Sequence, residues 1–101
     1  MPNRNYIKGR AFEYRVKKYL EKAGFYVMRA YASKGVFDLI AVPPSSMTLT
    51  MDREAWMIQC KTNGYIRPAE RAALKQASDL YAANVVLATK DDKGHIIINR
   101  V

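Results

Sequence analysis

The sequence predicts an α/β fold, with helices flanking a mixed central β-sheet in the order αβββαβ and one further terminal strand. Three observations carry this. A long segment of helical periodicity opens the chain. Three runs rich in apolar and β-favouring residues then follow with no helix between them. A helical segment opened by proline separates these from two more strand-like runs. Strands joined directly pair antiparallel, whereas a helical crossover brings the chain back parallel, so the combination implies a mixed sheet.

Residues 1–5 read as a short flexible basic arm. Over 6–23, Phe12, Val16, Tyr19, Leu20 and Ala23 recur at helical spacing, with Lys17, Lys18, Glu21 and Lys22 mostly on the other face. Gly24 stands where a helix ends. Residues 25–31 are aromatic and β-favouring and predict a strand. Ser33-Lys34-Gly35 is a turn, and 36–42 is apolar on both faces, as in a central strand covered on both sides. Pro43 and Pro44 break it, 47–53 is a hairpin extension or loose loop, and 55–60 is a third strand. After a loop at 63–67, Pro68 opens a helix that runs to about 82. Its apolar face, drawn loosely, holds Ala72, Leu74, Ala77, Leu80 and Tyr81. Strands over 84–89 and 95–101 follow, with a turn at 91–94 between them.

At 101 residues the expectation is one domain over 1–101. Half of the residues are hydrophobic, enough for a core, but so short a chain buries a modest fraction of its surface and gains from dimerisation. The formal charge of +8 favours an anionic partner, of which nucleic acid is the commonest; a merely soluble basic protein is the alternative. One cysteine excludes an intrachain disulfide framework, and one cysteine with one histidine argues against structural zinc. No apolar run approaches the roughly 20 residues that span a bilayer, and the N-terminus lacks the apolar core of a signal peptide. A cytoplasmic protein without a membrane partner is expected.

Four positions carry the chemistry. Asp38 enters the apolar run of 36–42, Gln59 and Lys61 end the run of 56–61, and Glu13 borders the apolar stripe of the first helix. Residues two apart on a strand share a face, so Gln59 and Lys61 project together while Ile58 and Cys60 point the other way. If the two strands pair, Asp38 joins them at one end of the sheet. Phosphodiester hydrolysis needs an activated water, shielding of the phosphate and help for the leaving oxygen. A divalent cation on oxygen ligands supplies much of all three, and a nearby lysine orients water or stabilises charge. Each residue also has a plain structural reading. Asp38 would be a turn residue, Gln59 and Lys61 a solvated strand end, and Glu13 the partner of Lys17 one helical turn on. Cys60 reads as a small buried hydrophobe, and His95 merely opens a terminal strand.

Taken in order, four stretches resemble the archaeal-type Holliday junction resolvases of the PD-(D/E)XK, restriction-endonuclease-like superfamily. Lys8-Gly9-Arg10-Ala11-Phe12-Glu13 resembles the family's opening Gly-Arg and catalytic Glu. Leu20 to Arg29 resembles its Leu-Glu-x-x-Gly-Phe-x-Val-x-Arg stretch. Ser33 to Ala41 resembles its Ser-x-Gly-x-x-Asp motif, and Ile58-Gln59-Cys60-Lys61 stands in the place of its Glu-x-Lys. The resemblance implies that Asp38 is the central metal ligand, Glu13 a metal or water ligand from the first helix, and Lys61 the catalytic lysine. It implies that Ser33 contacts phosphate or the metal shell, and that Arg10 and Arg29 grip DNA backbone. The implied cofactor is Mg²⁺, with Mn²⁺ as substitute. The implied partner is branched DNA, a four-way junction cut by a homodimer in a prokaryotic, archaeal or viral host. Arg4, Lys8, Lys34 and Arg67 complete the basic set expected to meet phosphates.

Gln59 departs from the family's Glu. Its carbonyl oxygen still ligates a cation, but one negative charge is gone, so metal affinity falls. Glu54 is five positions away, roughly 17 Å along an extended strand and on the other face, and does not replace it. Two alternatives stay open: another nuclease of the superfamily, acting on duplex or flap DNA, and a non-catalytic junction-binding module.

Overall fold

The computed structural model describes residues 4–30, 37–46 and 54–101, with side chains from Gly9 onward. Ser33 and Lys34 lie outside the described residues, as do the side chains of Arg4 and Lys8. The chain forms α1 (Arg4–Lys22), β1 (Tyr26–Arg29), β2 (Leu39–Val42), β3 (Ala55–Cys60), α2 (Pro68–Leu80), β4 (Ala83–Lys90) and β5 (Ile96–Arg100). The five strands make one sheet in sequence order. β1 with β2, β2 with β3 and β4 with β5 run antiparallel; β3 and β4, joined through α2, run parallel. This is the mixed sheet flanked by helices that the element order predicts.

α1 begins two residues before the expected start, inside the segment read as an arm. It ends through a glycine with φ +99°, whose N–H donates to Glu21 O at 2.9 Å while Phe25 N–H reaches back to Leu20 O at 3.0 Å. Both bonds satisfy carbonyls that the helix end would leave open, and only a residue tolerant of positive φ makes them without strain. The ring of Pro44 stands 3.1 Å from where a Cβ on Gly24 would lie, so a side chain there would also press on that ring.

The core divides by sheet face. Phe12, Val16 and Leu20, spaced one turn apart on α1, pack with Phe25, Val27, Leu39, Ala41, Ile58, Val86 and Ala88. On the opposite face, Leu74 and Ala77 of α2 pack with Ile66 and Val85. Alternate residues of β4 serve the two clusters, as pleating requires. Trp56 packs edge-on to Phe25 at a ring separation of 4.9 Å. Tyr19 and Ala23, expected on the apolar face of α1, are exposed, because the helix meets the sheet only along the narrow line of Phe12, Val16 and Leu20. Ala72, Leu80 and Tyr81 are likewise exposed on α2; Leu80 and Tyr81 border an open groove with Phe37 and Met57. Strand β2 is not covered along its whole length either, since Val42 is exposed.

Candidate active site

Asp38 does not belong to β2 but immediately precedes it. Its backbone N–H donates to Ile58 O at 2.8 Å, and its carbonyl accepts from Ala30 N–H at 2.9 Å. The residue is thus clamped between the chains of β1 and β3. Its carboxylate Oδ2 accepts the N–H of Cys60 at 2.8 Å. The Cys60 bond ties the carboxylate to the end of β3, where sequence pairing alone only suggested proximity.

Gln59 and Lys61 do project together, and both meet a residue that sequence reasoning missed. Oε2 of Glu70, on the first turn of α2, accepts from Gln59 Nε2 at 3.0 Å and stands 2.9 Å from Lys61 Nζ. Its other oxygen accepts the backbone N–H of Arg67 at 3.3 Å. The hydrogen bond from Lys61, reinforced by Gln59 and the Arg67 backbone against the effect of partial burial, holds the Glu70 carboxyl below its ordinary range. Gln59 is only 6% exposed, and its carbonyl oxygen is buried with no hydrogen-bond partner among the described residues. Such an orphan costs about 1–3 kcal/mol unless something else binds it. A signal for Glu70 existed: an acid at the third position of a helix opened by proline, nine residues after Lys61, across a loop short enough to keep the helix start beside the end of β3.

Glu13 comes within hydrogen-bonding reach of Asp38, and burial, then the Asp38 charge, push its carboxyl up. Arg29 Nη2, 3.3 Å from Glu13 Oε2, opposes that rise. Arg29, expected to grip DNA, is paired with Glu13 in the cleft. The alternative reading of Glu13 as partner of Lys17 does not hold, since Lys17 pairs with Glu21 at 3.1 Å. Arg10 is exposed on α1, and exposed Arg67 borders the cleft. His95 pairs with Asp91 at 3.2 Å, at the turn before β5.

Cys60 packs against the α1-side core, and burial, with the charges of Asp38 and Glu13, pushes its thiol well up. It is expected to resist alkylation at pH 8, reacting more than about 100-fold slower in the folded protein than in denaturant. Iodoacetamide kinetics with and without urea check this; equal rates would mean that the partly buried thiol is not shielded by the fold.

Glu13, Asp38, Gln59, Lys61, Arg67 and Glu70 all line one open cleft of about 380 Å³, which Tyr65 also borders. Four of the five residues singled out from sequence for catalysis are thus brought to one end of the sheet; Ser33 is the fifth.

A family model described as "Archaeal holliday junction resolvase (hjc)" matches residues 4–98. The chain is 35% identical over 98 residues to the crossover junction endodeoxyribonuclease Hjc of Methanocaldococcus jannaschii, across 93% of this chain and 67% of that one. Its fold superposes with a TM-score of 0.71 on the Holliday junction resolvase Hjc of Archaeoglobus fulgidus, at 22% identity, covering 92% of this chain and 72% of that one. The chain belongs to the archaeal Holliday junction resolvase (Hjc) family.

The cleft suits a hard divalent cation. Its donors are oxygens: two adjacent carboxylates, whose mutual repulsion already favours a bound positive charge, and the unpartnered carbonyl of Gln59. Among the described residues, no three Asp, Glu, His or Cys side chains form a cage for a metal. Oxygen donors of this kind suit a hard divalent cation that keeps several waters. In this Hjc-family member the Gln59 amide offers the neutral oxygen of the three. Among the described residues no helix is long and apolar enough to cross a membrane.

Proposed function

We propose that this protein is a structure-selective endodeoxyribonuclease that resolves four-way DNA junctions by metal-dependent phosphodiester hydrolysis, cutting paired strands as a homodimer inside the cell. The observation that carries the reading is the convergence of Glu13, Asp38, Gln59 and Lys61 on one cleft in a chain of this family. Glu13, Asp38 and Gln59 would hold Mg²⁺, or Mn²⁺ in its place. The ion supplies charge shielding for the phosphate and a more acidic water.

The chain's own groups do the rest. Water oxygen forms a bond to phosphorus and gives up a proton to solvent, one P–O ester bond breaks, and the departing oxygen takes up a proton from solvent. Lys61, held 2.9 Å from the Glu70 carboxylate, donates hydrogen bonds and so stabilises charge gathering on the phosphate oxygens. Asp38, clamped by three hydrogen bonds, presents its carboxylate without reorganising. Basic groups, Arg67 at the cleft and Arg10 on α1 among them, meet phosphates and orient the junction without reading bases; Arg4, Lys8, Lys34 and Ser33 are proposed to join them. A four-way junction is close to two-fold symmetric, so a two-fold dimer sets one cleft on each of two opposing strands.

The test is cleavage of a labelled four-way junction beside its matched linear duplex, with Mg²⁺ and with EDTA. Paired symmetric nicks confined to the junction, and lost in EDTA, are expected. Equal cutting of linear duplex would move the substrate assignment to duplex DNA. Tight junction binding without cleavage under either Mg²⁺ or Mn²⁺ would overturn the enzymatic reading.

A further inference from the structure

We propose that Glu70 is a positioning residue of this cleft: its carboxylate orients the Lys61 ammonium and the Gln59 amide together, and returns from α2 the negative charge that position 59 lacks. The inference rests on the nuclease reading above, which assigns work to Lys61 and Gln59 and none to Glu70.

Three features of the geometry carry it. First, a single oxygen serves both side chains, with Lys61 Nζ at 2.9 Å and Gln59 Nε2 at 3.0 Å from Glu70 Oε2. Second, the carboxylate is itself held. Its other oxygen accepts the Arg67 N–H at the start of α2, and Pro68 at the first helical position sets the backbone there. A carboxylate anchored on a helix start is a stiffer support than one on a free loop. Third, Glu70 decides which way the Gln59 amide faces. A carboxylate only accepts, so the NH₂ end must turn to it. The carbonyl end is then left as the buried oxygen without a partner among the described residues. Turned the other way, the amide would set its oxygen against the carboxylate and lose the bond. One acid on α2 thereby fixes both the cation beside the scissile phosphate and the direction of a neutral oxygen donor.

This arrangement also alters what a glutamate at position 59 would do. Gln59→Glu alone sets a second carboxylate where the amide now stands 3.0 Å from Glu70. The two like charges would compete for Lys61. The informative change is the exchange of the two residues, Gln59→Glu with Glu70→Gln. It keeps one acid and one amide in contact and leaves a carboxylate beside Lys61.

The experiment compares wild type, Glu70→Gln and the exchanged pair by single-turnover junction cleavage in Mg²⁺, and wild type with Glu70→Gln by the ¹⁵N–¹H signals of the Gln59 side-chain amide in metal-free protein. The glutamine introduced at position 70 still offers a carbonyl to the Arg67 N–H, so loss of the helix start does not explain its effect. Glu70→Gln is expected to slow cleavage roughly 10–100-fold, with junction affinity not weakened. It is also expected to move the Gln59 NH₂ proton signals, which in wild type report a bond to a carboxylate. The exchanged pair is expected to recover cleavage to within about tenfold of wild type. Wild-type cleavage by Glu70→Gln, or unmoved Gln59 signals, would overturn the proposal. So would a loss that the exchange does not repair. If wild type itself cuts nothing, the nuclease reading falls, and the amide signals still decide whether Glu70 orients Gln59.

Discussion

Asp38→Asn is expected to slow junction cleavage by about 1,000-fold or more while junction affinity stays within a few fold. That factor corresponds to about 4 kcal/mol of transition-state stabilisation, within what a metal-bound carboxylate contributes. The substitution is a clean one here. Asn keeps a side-chain oxygen to accept the Cys60 N–H, and the two backbone bonds of Asp38 to Ile58 and Ala30 need no carboxylate. The fold should therefore survive, and what is lost is charge beside Glu13. Removing that charge should also let the Glu13 carboxyl fall back toward its ordinary range, because the Asp38 charge is one of the causes raising it. Single-turnover rates in Mg²⁺ and gel shifts in EDTA measure the two halves. A variant that cuts at the wild-type rate would remove Asp38 from the site.

Ile58→Ala is expected to cost about 2–5 kcal/mol of stability. Ile58 is fully buried, faces α1, and sits at the centre of the sheet between Leu39 of β2 and Val86 of β4. Its carbonyl accepts the Asp38 N–H, and the next residue is Gln59, so a cavity there relaxes the site as well as the core. At about 4 °C or more per kcal/mol for a chain of this size, the melting midpoint should fall by at least roughly 8 °C. Ile97→Ala, on a half-exposed position of β5, should cost only about 0.5 kcal/mol. Denaturant titration of both variants checks the contrast. Equal, small losses would mean that the α1-side cluster is not the core.

Local patterns made most of the fold legible. The spacing of Phe12, Val16 and Leu20 marks the buried line of α1, Gly24 marks its end, and Pro68 marks the start of α2, each for a reason confined to a few residues. The same holds for β3, whose bounds match the expected run, and for the shared direction of Gln59 and Lys61, which follows from strand pleating. Breadth of an apolar face was less legible. Tyr19, Leu80 and Tyr81 have the right period but are exposed, because periodicity says which residues share a side and not how wide a strip the sheet covers.

The order of elements, the mixed sheet and the acid, amide and lysine that meet at its end follow from periodicity, turn chemistry and an ordered series of motifs. Packing of the elements against one another chose the charge partners. It put Arg29 on Glu13 and Lys17 on Glu21, tied the Asp38 carboxylate to the Cys60 backbone, and set Glu70 against Gln59 and Lys61. Charged side chains are long and several candidates lie within reach along any chain, so their choice depends on which elements pack together. The short return from the end of β3 into α2 made that choice for Glu70.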